Sequence, residues 1–256
     1  MPPRSLIHRI LAAIFGVFAR PLLHAELLVT DASRFGICQY NDIERLAAAW
    51  SVAVATILDI GANNGSTALE LAHRFPTARI FSFEPHPTTY AQLNAATAAR
   101  PQIHTINSAV GAASGTLPMT VYTDSRVNTL KPDFHTLGRF QPTSPIDVPV
   151  TTVDAFCAQR AIHAIDLLKI DTEGFDLMVL HGAAGILKSG VVRFIYLECN
   201  DLQVDPNDPG TGLLAIDQFL RPFGYRFIAT YNDYNNLDGR LFQSSNALFA
   251  LPPASR

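Results

Sequence analysis

Three apolar runs of this chain end in a carboxylate, and each such end is a place where a side chain can leave the core and meet a ligand. Arg79-Ile80-Phe81-Ser82-Phe83 runs into Glu84, Ile165-Asp166-Leu167-Leu168-Lys169-Ile170 into Asp171, and Phe194-Ile195-Tyr196-Leu197 into Glu198. A carboxylate so placed can accept hydrogen bonds from hydroxyls, take a proton as a general base, or share a divalent cation with a second acid. Glu173 follows Asp171 and His86 follows Glu84 at the same short spacing. An imidazole is a common general base, so His86 stands as the alternative to Asp171 and Glu173 for that task. Asp171 and Glu173 also have a structural use, as acceptors for the backbone N–H groups of the helix that follows.

A glycine-bearing turn supplies the other half of the chemistry. Ile57-Leu58-Asp59-Ile60-Gly61-Ala62-Asn63-Asn64-Gly65 is an apolar run entering a turn that opens a helix, the arrangement by which an α/β sheet offers backbone N–H groups to a ligand. Thr67 and Glu70 have the spacing of a capping box for that helix. Glu84 falls about 25 residues after Asp59, the offset at which an acid meets ribose hydroxyls in dinucleotide folds. The turn is not G-x-G-x-x-G and has no lysine near it, so nothing prepares it for a phosphate. An adenosine without phosphates fits, and S-adenosylmethionine is such a ligand.

These residues need a sheet to bring them together. The runs at Ile57, Arg79, Ile103 to Val110, Ile165 and Phe194 alternate with helical stretches, which predicts an α/β fold with a mostly parallel sheet and its acidic ends along one edge. Ser108 and Ala109, at the end of the third run, would lie beside the first two strand ends. Leu117 to Tyr122 and Val148 to Val153 are an extra strand pair around an aperiodic stretch, Lys131 to Pro149, of a length that marks a disordered or functional loop. Asp154 is the expected cap of the helix Ala155 to Arg160. Leu213 to Leu220 is helical, and strands near Tyr225 to Thr230 and Asn246 to Leu251 close the sheet as an antiparallel hairpin.

Composition narrows the partners. A chain of 256 residues, 48% hydrophobic and 16% charged, forms one sizeable core, here residues 51–256, with 1–50 as a helical extension. A net charge of −3 without a Lys/Arg cluster argues against nucleic acid. Three scattered cysteines, Cys38, Cys157 and Cys199, fit a reducing, cytoplasmic setting and no zinc site. Leu6 to Phe18 has one apolar stripe but an apolar run of only about 10 residues, against roughly 20 for a bilayer, so it covers the domain, forms a dimer contact, or rests weakly on a membrane surface.

Taken together, the motifs resemble the FkbM family of S-adenosylmethionine-dependent methyltransferases over roughly Ile57 to Leu251. The matching segments are Leu58-Asp59-Ile60-Gly61-Ala62-Asn63-Asn64-Gly65, Phe83-Glu84-Pro85-His86-Pro87, Ala109-Val110-Gly111, Lys169-Ile170-Asp171-Thr172-Glu173-Gly174 and Val179-Leu180-His181-Gly182-Ala183. The resemblance implies a Rossmann-like class I methyltransferase fold, a mostly parallel seven-stranded sheet with helices on both faces. It also implies O-methylation of a hydroxyl on a sugar, polyketide or related small molecule or glycan. Gly61, Ala62, Asn63 and Gly65 would surround the methionine end of the cofactor, Glu84 would hold the ribose, and Ser108 and Ala109 would border the adenine. Asp59 and Pro85 belong to the same cofactor motifs, and Asp171 would meet the acceptor. Asp171 and Glu198 offer the alternative of holding a divalent cation, with no ligand-spacing motif behind it. Two other readings use the same residues: a nicotinamide-dependent oxidoreductase, whose turn would have to accept a pyrophosphate, and a cofactor-binding module without turnover.

Overall fold

The computed structural model describes residues 35–131, 140–199, 212–236 and 242–253. Its strands are β1 (Thr56–Ile60), β2 (Arg79–Phe83), β3 (Ile103–Ile106), β4 (Ala109–Val110), β5 (Gly115–Met119), β6 (Ile146–Thr151), β7 (Ile165–Ile170), β8 (Val192–Cys199), β9 (Arg226–Asn236) and β10 (Phe242–Ala250). The helices are α1 (Gln39–Ala49), α2 (Ser66–Arg74), α3 (Pro87–Thr97), α4 (Val153–Arg160), α5 (Asp176–His181), α6 (Ala184–Lys188) and α7 (Leu213–Leu220).

The main sheet has seven strands in the order β3-β2-β1-β7-β8-β10-β9, all parallel except the C-terminal hairpin, whose strand β10 runs antiparallel to β8. Every residue of β1 is buried, as expected of a central parallel strand covered on both faces. Alternation sends its side chains to opposite faces. Ile57 packs with Ile80, Leu167 and Phe194 on one, while Leu58 and Ile60 pack with Phe83, Leu168 and Ile195 on the other. The chain moves outward from β1 to β2 and β3, then returns to β7 on the far side of β1. That reversal opens a crevice beyond the C-terminal ends of β1 and β7, where ligands of open α/β sheets bind.

The third strand is shorter than the sequence pattern predicts. It stops at Ile106 because the Asn107 side-chain amide donates to the Glu84 and Pro85 carbonyls at 2.9 and 3.0 Å, fastening the chain at the sheet edge. Ala109 and Val110 then enter a second sheet of order β4-β6-β5, in which the expected extra strand pair is the antiparallel pair β5 and β6. Of the aperiodic stretch, residues 132–139 lie outside the described residues, and its end belongs to β6.

Two expected caps are reassigned. Thr67 lies inside α2, and Glu70 pairs with Arg74 at 2.9 Å; the helix begins at Gly65, in the left-handed region at φ 92°, with the Asn64 carboxamide oxygen accepting from Ser66 N–H at 3.2 Å. Thr152, not Asp154, caps α4 by accepting from Ala155 N–H at 2.9 Å. Asp154 points away and accepts from Gly185 and Ile186 N–H, both at 2.8 Å, so it joins α4 to the start of α6. A carboxylate can bond any helix start within reach, and only the fold decides which one that is.

Helix α1 is fixed to the sheet by its buried Asp42, which accepts from the Tyr231 hydroxyl at 2.7 Å and from Gly36 N–H at 2.8 Å. Among the described residues no helix is long and apolar enough to cross a membrane. The apolar stripe Leu6 to Phe18 lies outside them.

Candidate active site

A cavity of about 320 Å³ occupies the crevice beyond β1 and β7. Gly61, Ala62, Asn63, Glu84, Pro85, Ser108, Ala109, Asp171 and Glu173 all line it, so the fold brings most of the sequence-derived candidates together. Three do not reach its wall. Asp59 is fully buried beneath the turn. Gly65 packs toward Leu93 and Thr97 of α3. His86 starts α3, its Nδ1 accepting from Thr89 N–H at 3.4 Å.

Gly61 follows β1 directly and lies against Asp171, the residue that follows β7. It has φ 80°, and a Cβ there would run into the Asp171 carbonyl oxygen. The turn's N–H groups, expected to face a ligand, are instead consumed within the protein. Gly61 and Ala62 both donate to the Phe83 carbonyl at 3.1 and 2.9 Å, Asn63 donates to Glu84 Oε2 at 3.1 Å, Asn64 to the Asn63 side chain at 2.7 Å, and Gly65 to the Ala62 carbonyl at 2.9 Å. Such a turn has little left for a pyrophosphate, and this counts against the nicotinamide reading.

What the turn does present is Glu84. The residue is 6% exposed, with Oε1 accepting from His86 N–H at 2.9 Å and Oε2 from Asn63 N–H at 3.1 Å. Each oxygen keeps a lone pair for a hydroxyl donor. Burial raises its pKa to about 7, against the lowering effect of those two backbone donors and of the Lys169 charge.

The opposite wall is acidic. Asp171, Glu173 and Glu198, all half-buried, have carboxylate oxygens within 4.8 Å of one another, because β7 and β8 run in parallel and end side by side. Asp176, the first residue of α5, is fully buried and accepts from the Thr172 hydroxyl at 2.9 Å. Burial and then the Asp171 charge push its pKa up to about 7. Lys169 stands behind this wall, with Nζ 3.2 Å from Asp59 and 3.4 Å from Asp171. The strand alternation that puts Lys169 and Asp171 on one face is realised as this ion pair.

Sequence reasoning missed the third wall. Met119, at the end of β5, and Ser125, Arg126, Asn128, Thr129 and Leu130, from the chain that follows it, reach the cavity. Arg126 is held by Asp124 at 2.6 Å. Buried Thr129 donates its hydroxyl to the Glu173 carbonyl at 2.7 Å, which fastens a glutamate that has the left-handed φ of 52°. Thr129→Val should therefore lower stability by about 1–3 kcal/mol, since the carbonyl loses its donor while a left-handed non-glycine residue stays to be held. Urea unfolding would show it; a midpoint equal to wild type would mean that the hydroxyl holds nothing.

A model of the methyltransferase FkbM domain matches residues 59–227, and the chain belongs to that family. The 2-O-methyltransferase NoeI of Sinorhizobium fredii (strain NBRC 101917 / NGR234) is 28% identical over 159 residues, 58% of this chain and 64% of that protein. Methyltransferase sdnD of Sordaria araneosa is 28% identical over 153 residues, 49% of this chain and 59% of that protein. The matched part thus spans less than two thirds of either relative. Among solved structures, the N-methyltransferase NodS from Bradyrhizobium japonicum WM9 has a TM-score of 0.45 at 12% identity, covering 84% of this chain and 95% of that one.

Proposed function

We propose that this protein transfers the methyl group of S-adenosylmethionine to a hydroxyl of a small molecule, a sugar or polyketide alcohol in the first instance. The observation that carries the reading is the pairing of Glu84, a buried carboxylate with spare acceptor capacity, with a turn whose own N–H groups are already bonded. Vicinal ribose hydroxyls supply the donors that Glu84 lacks, and no phosphate is needed. Family membership and the similarity to NoeI, a 2-O-methyltransferase, support the same reaction.

In this reading Glu84 orients the ribose, Ser108 and Ala109 border the adenine, and Gly61, Ala62 and Asn63 border the methionine end. When bound, S-adenosylmethionine supplies a methyl group already activated as a sulfonium. The protein has then to place an acceptor oxygen in line with that methyl and to take its proton. Asp171 serves as the base, with Glu173 beside it to accept a second hydrogen bond from the substrate. His86 has the supporting role of capping α3, and Asp59 that of carrying Lys169. The wall formed by Ser125, Asn128 and Thr129 is polar, which suits an acceptor bearing several hydroxyls.

The reaction is tested by incubating the protein with S-adenosylmethionine and matched alcohol and amine panels and measuring S-adenosylhomocysteine. Release with alcohols and not amines is expected; the reverse preference would overturn O-methylation while leaving methyl transfer in place.

Affinity should also follow the ionisation of Glu84. Ribose hydroxyls donate to the carboxylate form, so binding is strongest above the Glu84 pKa of about 7 and weakens as pH falls through it. The expected loss approaches tenfold per unit below that point. Calorimetry of the wild type from neutral to mildly acid pH should show this slope and Glu84→Gln should lack it; equal slopes in both would assign the proton elsewhere.

A further inference from the structure

Lys169 is a buried cation with more than one duty. It is 4% exposed, and Nζ lies 3.2 Å from Asp59 Oδ1, 3.4 Å from Asp171 Oδ2 and 3.1 Å from the Gly61 carbonyl oxygen, to which it donates. The ammonium donates one hydrogen bond, to the glycine turn, and lies within ion-pair distance of two carboxylates. These three partners come from β1, from the glycine turn and from the end of β7, the pieces of chain that meet at the sheet's reversal. Burial works against the charge, but the Asp59 carboxylate and then the Asp171 carboxylate outweigh it and keep the ammonium protonated. Nearby Tyr40 does not compete for that proton, because burial pushes its phenol up to about 12.

A lysine needed only to neutralise Asp59 would require one acceptor. Asp59 and Lys169 face each other directly in the β1–β7 register, and that pair is already neutral. The side chain nevertheless extends to Asp171, whose own side chain is 43% exposed at the cavity. We propose that Lys169 is a positioning residue for Asp171, its ammonium aiming that carboxylate into the cavity and tying it to the carbonyl of the glycine turn. The two halves of the site, cofactor turn and acceptor-side acid, then move as one body. The inference rests on the reading of Asp171 as the acceptor-side base, but its first test needs neither cofactor nor acceptor.

That test replaces the carboxylate by a reporter. In the full chain carrying Asp171→Cys and Cys38→Ser, the introduced thiol lies beside Lys169 and faces the acids Glu173 from the turn after β7, Glu198 from β8 and Asp176 from the start of α5. Cys157 and Cys199 are buried, and burial pushes their thiols up to about 12 and about 11, so they stay silent. A neighbouring ammonium raises the thiolate fraction and hence the rate of alkylation. Iodoacetamide at neutral pH should modify the introduced thiol about tenfold faster, or more, than it does when Lys169→Met and Asp59→Asn are added together. Removing both charges avoids leaving Asp59 alone in the core. If that pair of changes does not fold, Lys169→Gln with Asp59→Asn is read in the same way. Equal alkylation rates would overturn the proposal, because a purely structural lysine would change stability and not the field at position 171.

The second readout is catalytic. With Asp171 intact, Lys169→Met with Asp59→Asn should cut kcat at least tenfold, and in an Asp171→Asn background it should cost almost nothing more, as expected of residues that act through one another. Full additivity would overturn the proposal. Alkylation as predicted in the Asp171→Cys proteins, with no methyl transfer by the wild type to any alcohol or amine, would overturn the methyltransferase reading and leave the Lys169 inference standing.

Discussion

Asp171→Asn should lower methyl transfer by roughly 10²–10⁴ while leaving S-adenosylmethionine affinity within a few-fold of wild type. The substitution keeps the shape of the side chain and removes its capacity to take a proton. The structure explains why the two measurements should part: Asp171 is on the acidic wall at the end of β7, and Glu84, across the cavity at the end of β2, makes the hydrogen bonds assigned to the cofactor. Chelation of the wild type decides between proton removal and a cation shared among Asp171, Glu173 and Glu198, whose oxygens lie within 4.8 Å. Under the base scheme wild-type turnover is indifferent to a chelator; under the cation scheme it is lost with chelator and restored by Mg²⁺ or Mn²⁺. A folded Asp171→Asn protein with wild-type turnover would remove Asp171 from the reaction.

The largest effect on stability should come from Gly61→Ala. The added methyl meets the Asp171 carbonyl oxygen, and the backbone keeps φ 80°, a region costly for any residue with a Cβ. Left-handed strain and forced displacement together give an expected loss on the order of 2–5 kcal/mol. Urea denaturation measures it, with Gly115→Ala as the control, since a Cβ at Gly115 meets nothing within 4 Å. A Gly61→Ala midpoint matching that of Gly115→Ala would mean that β1 and β7 can separate without cost, and the crevice would lose its fixed geometry.

The parallel core of the fold was legible because a central strand must be apolar on both faces, so β1, β2, β7 and β8 stand out as apolar runs. The acid at each run's end then marked Glu84, Asp171 and Glu198, and strand alternation placed Lys169 beside Asp171. What the residues do to one another was less legible. The turn's N–H groups looked available, since nothing in Gly61-Ala62-Asn63 says that the Phe83 carbonyl will accept two of them. The end of β3 was hidden for a similar reason: Asn107 stops it through a side-chain bond that leaves no mark on hydrophobic periodicity. Asp154 and His86 show the same limit, because a carboxylate or imidazole next to a helix start carries no sign of which N–H it will accept. Ser125, Asn128 and Thr129 have neither strand nor helix period to advertise them, and only the folding of β5 against β6 brings their stretch to the cavity.

The most direct test is a calorimetric titration of S-adenosylmethionine into the wild type and into Glu84→Ala at mildly alkaline pH. The wild type should bind one equivalent, and Glu84→Ala, still folded, should bind more weakly by about 1.5–3 kcal/mol through the loss of hydrogen bonds to a charged acceptor. No binding by the wild type, or an unchanged dissociation constant in the variant, would contradict the assignment of this cavity to the cofactor.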